Sequence, residues 1–146
     1  MKTHAMQIKR CFYADIPMLA ALNKQLIEDE GSDNTMNLAE LETRMRSWLN
    51  EDYHAFFFKS SSKVLGYALV QISLSPMYLR QFFICREYRR KGYGRAAFNV
   101  LITHLSIDTF DIDVLLGNQA GVAFWHSLGF RDSSVSMRFE KTQEDK

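Results

Sequence analysis

The stretch Arg89-Arg90-Lys91-Gly92-Tyr93-Gly94-Arg95 decides the reading of this chain. It lies between an apolar, strand-like run, Leu79 to Cys85, and a segment of helical apolar spacing, Ala96 to Leu105. Two glycines let the backbone approach a ligand with no Cβ in the way. A helix that begins here presents unpaired N–H groups and the positive end of its dipole. The stretch therefore predicts a site for a pyrophosphate.

Upstream of it, Tyr53 to Lys59, Val64 to Leu74 and Met77 to Cys85 read as three strands. Ser60-Ser61-Ser62 and Ser75-Pro76 separate them, turns short enough for antiparallel neighbours, so a meander is expected. Before it, Gln7 to Phe12 reads as a first strand, and Asp15 is placed to cap a helix through Glu30 whose apolar positions are Ile16, Leu19, Leu22, Leu26 and Ile27. Gly31-Ser32-Asp33-Asn34 breaks that helix. Asn37, with Glu40 three residues on, has the form of a capping box for a second helix carrying Leu38, Leu41, Met45, Trp48 and Leu49.

Downstream, the helix runs to about Ser106 and is followed by a strand at Ile112 to Leu116, a helix from Gln119 to Leu128, and a last strand at Val135 to Glu140 with strict apolar–polar alternation. Gly129 after Leu128 predicts a left-handed helix stop, with Phe130 folding back onto the last turn. Residues 1–146 read as one domain, with Lys141 to Lys146 a polar tail.

Composition excludes several classes. With 146 residues and 47% hydrophobic content, the chain can bury a core without disulfides or a structural metal. Cys11 and Cys85 lack metal spacing, and the four histidines form no paired ligand motif, so no metal is predicted. No apolar run is long enough for a membrane span, and the opening Met1-Lys2-Thr3-His4 leads into polar residues, which predicts a cytoplasmic protein. The net charge of +1 argues against nucleic acid as a partner and leaves the basic excess local to Arg86–Arg95.

Two other loop types share parts of this glycine pattern. Gly92-x-Gly94-x-x-Ala97 satisfies a dinucleotide fingerprint, with Asp111 or Asp113 about 20 residues onward. Arg86 to Lys91 intervenes between strand and first glycine, however, and too few residues follow for a second mononucleotide half. A Walker A loop is excluded because no Gly-Lys-Ser/Thr follows at the needed spacing.

The order of elements, with Arg89-x-x-Gly92-x-Gly94 after a strand and Asn118-x-x-Gly121-x-x-Phe124-Trp125-x-x-Leu128-Gly129-Phe130 near the end, resembles the GNAT superfamily of acyl-CoA-dependent N-acyltransferases across nearly the whole chain. The resemblance implies an α/β (α+β) three-layer fold, a mixed, largely antiparallel sheet of six or seven strands with helices on both faces. It implies acetyl-CoA as co-substrate. Arg89, Arg90, Lys91, Gly92, Tyr93, Gly94 and Arg95 would cradle its diphosphate, and the strand residues Phe82, Phe83 and Ile84 would pair with its pantetheine arm. The thioester carbonyl would be polarised by a main-chain N–H at Phe82 or Phe83. Asn118, Phe124 and Trp125 align with further cofactor contacts, Asn118 being equally readable as a helix N-cap.

The family's usual tyrosine acid aligns with Trp125, whose indole cannot protonate a departing thiolate; a core aromatic is the other reading of that residue. No carboxylate stands in Tyr78-Leu79-Arg80-Gln81, where the family often places its base, so Tyr78 is the proton acceptor available there, weak at its ordinary pKa of about 10. Glu28, Asp29, Glu30 and Asp33 cluster at the end of the first helix. Glu30 is the assigned base, and Asp29, Glu30 and Gln81 the assigned substrate contacts. The expected activity is acetyl transfer from acetyl-CoA to a primary amine, a small cationic amine or a lysine side chain, by direct attack in a ternary complex. The alternative is a non-catalytic acyl-CoA sensor of the same fold. Either a monomer or a homodimer is compatible.

Overall fold

Tertiary structure is available as a computed structural model, which describes residues 6–142. They form two compact units that divide after Asp113. The first carries β1 (Gln7–Arg10), α1 (Ile16–Asp29), α2 (Leu38–Asn50), β2 (Tyr53–Ser60), β3 (Lys63–Gln71), β4 (Met77–Ile84), α3 (Tyr93–Leu105) and β5 (Phe110–Ile112), and the second carries α4 (Gln119–Ser127). The sheet order is β1-β2-β3-β4-β5, antiparallel throughout except for the parallel pair β4–β5. The sheet is mixed and largely antiparallel as expected, but it has five strands among the described residues instead of six or seven.

Alternation along β2 sorts its side chains onto two layers. Tyr53, Ala55 and Phe57 pack with Tyr67, Leu69 and Phe83 against Ile16, Leu19 and Leu22 of α1 and Met45 of α2. Phe56 and Phe58 face the other way, where Phe56 meets His104 of α3 edge-on at 5.3 Å and Phe58 lies 5.6 Å from Phe82. Helices therefore cover both faces of the first unit, and α3 buries Ala97, Phe98 and Leu101 beneath it.

The helix punctuation follows from local chemistry. Asn37 accepts from the Glu40 amide while Glu40 accepts from the Asn37 amide, both at 2.9 Å, which makes the anticipated capping box and opens α2. Gly31, at φ +63°, closes α1 with Ser32 N–H donating to Ile27 at 3.2 Å. In the second unit Gly129, at φ +103°, stops α4 the same way: Phe130 N–H donates to the Trp125 carbonyl at 3.1 Å and the two rings stand 5.2 Å apart. Asp15, by contrast, does not cap α1 with its side chain; its carboxylate accepts instead from the Phe12 amide at 2.9 Å.

Two strands depart from expectation. β5 spans Phe110–Ile112, ahead of the Ile112–Leu116 run, because β4 offers partners only at Met77, Tyr78 and Leu79. Leu115 and Leu116 are exposed. Val135 to Glu140 forms no strand, and Val135, Met137 and Phe139 are 65%, 90% and 89% exposed. Alternation licenses a strand, but a ladder partner makes one.

One close approach passed unnoticed in the sequence. A Cβ on Gly66 would fall 1.9 Å from the Phe83 carbonyl oxygen, so glycine is required where β3 crosses β4.

Candidate active site

The site is organised by an irregularity in β4. Leu69 of β3 faces Gln81 while the next residue, Val70, faces Leu79, so Arg80 is an extra residue bulged out of the ladder. The bulge puts Arg80 and Gln81 on one side. Arg80 Nε donates to the Tyr53 hydroxyl at 2.8 Å, and Gln81 Oε1 accepts from the Tyr67 hydroxyl at 2.7 Å, both on the face under α1 and α2. The bulge also follows immediately on Leu79, the last β4 residue paired with β5. From Arg80 onward β4 has no β5 partner, which leaves a gap in the pairing along its outer edge.

Which main-chain groups line that gap follows from the ladder. The Cys85 amide donates to Leu65 at 2.8 Å, so alternate residues, Phe83 and Gln81, also direct their N–H and C=O toward β3. The Phe83 carbonyl pressed against Gly66 agrees. Phe82 and Ile84 therefore turn their main chain to the gap, and the Ile84 carbonyl accepts there from Arg89 Nε at 2.8 Å. Of the two candidate amides, Phe82 has the orientation needed and Phe83 does not.

The glycine stretch emerges at the end of this strand. A single 3-10 turn, Arg86–Tyr88, leads into Arg90 at φ +62° and Gly92 at φ +80°, and Gly92 occupies the N-cap of α3 without any side-chain cap. The first amide to enter the helical ladder is that of Ala96, which donates to the Gly92 carbonyl at 3.2 Å. Preceding amides of the first turn lack intrahelical acceptors by construction. No atom lies within 4 Å of a Cβ built on Gly92, so the glycine borders open space. A left-handed turn, a helix N-terminus and the exposed Arg90 and Lys91 converge there, with Tyr93, Gly94 and Arg95 forming the first helical turn. The arrangement fits a diphosphate.

Arg89 does something other than neutralise a ligand. Its Nη2 binds Asp29 Oδ2 at 2.6 Å, its guanidinium lies 5.1 Å from the Phe83 ring, and Arg86 holds the other Asp29 oxygen. The two guanidiniums tie the end of α1 to the start of the glycine loop. Desolvation pushes the Asp29 carboxyl up, but the hydrogen bonds and charges of Arg86 and Arg89 outweigh it and hold the group below the usual carboxylate range. Asp29, assigned to substrate on sequence, is thus occupied by two arginines.

On the α1/α2 face the structure brings together residues from four elements. Arg44 of α2 donates to buried Asn23 of α1 at 3.0 Å, and its guanidinium lies 4.6 Å from the Trp48 ring. Arg80 lies 5.4 Å from the rings of Trp48, Tyr53 and Tyr78. Tyr78 donates its hydroxyl to Asp113 at 2.9 Å. Burial, with the Asp113 carboxylate alongside, pushes the Tyr78 phenol up to about 12, so it stays protonated at neutral pH and does not serve alone as a base. Glu30 has its carboxyl raised by desolvation, and its charge acts on the fully buried Tyr67. Among the described residues no group of three or more His, Cys, Asp or Glu is arranged to hold a metal, and no helix is long and apolar enough to cross a membrane.

In the second unit, Asn118 accepts from the Gly121 amide at 3.0 Å as the N-cap of α4. Phe124 and Trp125 pack edge-on at 4.9 Å on that helix. Sequence reasoning missed Arg44, Asn23 and Asp113. The first two carried a signal: Arg44 interrupts the stripe Leu41-Met45-Trp48, and Asn23 the stripe Leu19-Leu22-Leu26, and polar groups inside an apolar stripe are bound for the interior. Asp113 carried none, since its partner Tyr78 lies 35 positions away.

Residues 20–130 match the model of the Acetyltransferase (GNAT) family. The [ribosomal protein bS18]-alanine N-acetyltransferase of Escherichia coli strain K12 is 28% identical over 97 residues, 64% of this chain and 66% of that protein's length. The structure of a possible acetyltransferase from Clostridium difficile 630 superposes with a TM-score of 0.75 at 18% identity, covering 96% of this chain and 99% of that one. A predicted acetyltransferase from Clostridium acetobutylicum, solved with acetyl-CoA, gives 0.71 at 15% identity over 92% and 96% of the two chains. With the bulged strand, the end of its pairing with β5 and the glycine-capped α3 all in the matched segment, the chain belongs to the acetyltransferase (GNAT) family.

Proposed function

We propose that this enzyme transfers an acetyl group from acetyl-CoA to a primary amine, with both substrates bound together. The observation that carries this reading is the left-handed turn at Gly92, which opens α3 on the loop that leaves the end of β4. Acetyl-CoA supplies the activated acyl carbonyl; the chain's part is to hold it, to polarise it and to receive a proton. Amides of the Arg90–Arg95 loop hold the diphosphate, and the main chain of Phe82 and Ile84 lines the pantetheine path. The Phe82 amide is the polarising donor, a contribution of about 3 kcal/mol where such a donor is preorganised.

The proton leaves on the other side of the strand. A reactive amine must be neutral, so an ammonium has first to lose a proton. Tyr78, two residues before the bulged ladder partner, and Asp113 behind it form a relay in which the tyrosine oxygen accepts from the amine as its own proton passes to the carboxylate. In this reading Glu30, whose carboxyl is raised by desolvation, takes the role of holding the positive charge of the amine.

A thermal-shift comparison of acetyl-CoA, CoA and NAD tests the binding half: the first two should stabilise the protein and NAD should not. Amine-dependent release of free thiol tests the catalytic half. Stabilisation by NAD alone, or cofactor binding without thiol release across a broad amine panel, would refute the assignment.

A further inference from the structure

We propose that the acceptor of this enzyme carries a carboxylate, which docks on the paired guanidiniums of Arg44 and Arg80. The inference rests on the acetyl-transfer reading and names the class of its second substrate. Both guanidiniums lie against the same ring, that of Trp48, at 4.6 Å and 5.4 Å, so two like charges share one aromatic wall and act unfavourably on each other. Among the described residues no carboxylate lies within 4 Å of either one. Three nearby acids are engaged elsewhere: Asp29 by Arg86 and Arg89, Asp113 by Tyr78, and Asp52 by Gln71 and Ser73; Glu30 acts on the buried Tyr67 and forms no ion pair with either guanidinium.

Burial makes the unused donor of Arg44 informative. Arg44 Nε is buried with no hydrogen-bond partner, and Asn23 Nδ2, beside it, acts on the Tyr67 phenol without reaching hydrogen-bonding geometry. Arg44 contributes one hydrogen bond, to Asn23, from a fork of five donors, and Arg80 one, to Tyr53. Arg44, partly desolvated and with unused donors, is costly to maintain alone, and with the exposed Arg80 beside it can bind a planar carboxylate in bidentate fashion when one arrives. Their position selects the substrate as its owner, because Arg80 is the bulged residue beside Gln81 and Phe82, where β4 turns to the donor gap. An acceptor with its carboxylate on this pair and its amine toward Tyr78 and Glu30 is zwitterionic. A free amino acid and a short acidic peptide share that chemistry.

The test uses the full chain and a matched panel: amino acids and short peptides with a free carboxylate, the same compounds as amides, a phosphate-bearing amine and a polyamine. Initial rates and calorimetric titration in the presence of CoA are both measured. The carboxylates should bind, and their kcat/KM should exceed that of the amides by about tenfold or more. Arg80→Gln, at an exposed position, should raise KM for the carboxylate acceptor about tenfold, leave the KM for acetyl-CoA near wild type, and be partly rescued in Arg80→Lys. Arg44→Gln should behave likewise if it folds; Arg80→Gln decides if it does not. Equal use of carboxylates and amides, preference for the polyamine or the phosphate, or binding by no carboxylate at all overturns the proposal. Loss of the acetyl-CoA thermal shift in the wild type would instead overturn the acetyl-transfer reading beneath it.

Discussion

The two sides of β4 are built from different materials. On the side proposed for the donor the groups are main-chain amides, at Phe82, at Ile84 and along a loop turned by Gly92. On the side proposed for the acceptor they are side chains: Arg44 of α2, Tyr78 and Arg80 of β4, and Glu30 just past the end of α1, with Arg44 and Arg80 set against Trp48. A diphosphate and an amide-bearing arm are recognised by what every peptide unit possesses, provided the backbone is bent correctly. An acceptor of particular chemistry needs particular side chains. The first side can therefore stay constant in shape while the second varies.

Substitutions that strike both sides or only one sharpen this contrast. Gly66→Ala should have the largest effect, because its Cβ would sit 1.9 Å from the Phe83 carbonyl and force β3 from β4; a loss of about 3 kcal/mol, read by thermal unfolding, should carry donor and acceptor binding with it. Wild-type stability in this variant would show that the strand crossing relaxes at little cost. Gly92→Glu should cut acetyl-CoA affinity about a hundredfold through its left-handed φ and its charge, while leaving folding and the Arg44–Arg80 pair intact. An unchanged thermal shift would remove the glycine loop from the site.

Tyr78→Phe acts on the other side. It should lower kcat about tenfold, with the KM for acetyl-CoA unmoved, if the hydroxyl relays a proton to Asp113. A wild-type kcat would leave Glu30 as the proton acceptor. The smallest effect is expected of Asp29→Asn, which loosens the tie between α1 and the loop and should lower Tm by a few degrees at pH 7. Because the folded carboxyl lies below its ordinary value, its stabilisation is present above the unfolded pKa of about 3.9 and is lost as pH falls through the folded value. The gap between wild type and variant should accordingly close in acid; a gap that persisted there would point to packing instead of charge.

Legibility in the sequence divided along the same line. The meander, the capping box at Asn37 and Glu40, the glycine stops at Gly31 and Gly129 and the glycine turn at Gly92 all depend on residues within a few positions of one another. Asp29 shows the opposite case. Read locally it was one acid in a solvated cluster, and its partners proved to be Arg86 and Arg89, 57 and 60 positions away. Val135 to Glu140 had the alternation of a strand and formed none, because pairing is a property of two segments and pattern is a property of one.

By itself, then, the sequence determined the family, the layering of helices on strands and the place of the glycine turn that opens α3, since periodicity and turn chemistry act over one or two turns of chain. Tertiary structure alone decided that Arg80 is bulged, that Phe82 and not Phe83 faces the gap, and that Arg44 and Arg80 meet on one indole. Those facts depend on register between strands and on packing between helices, and both arise only when distant segments compete for the same space.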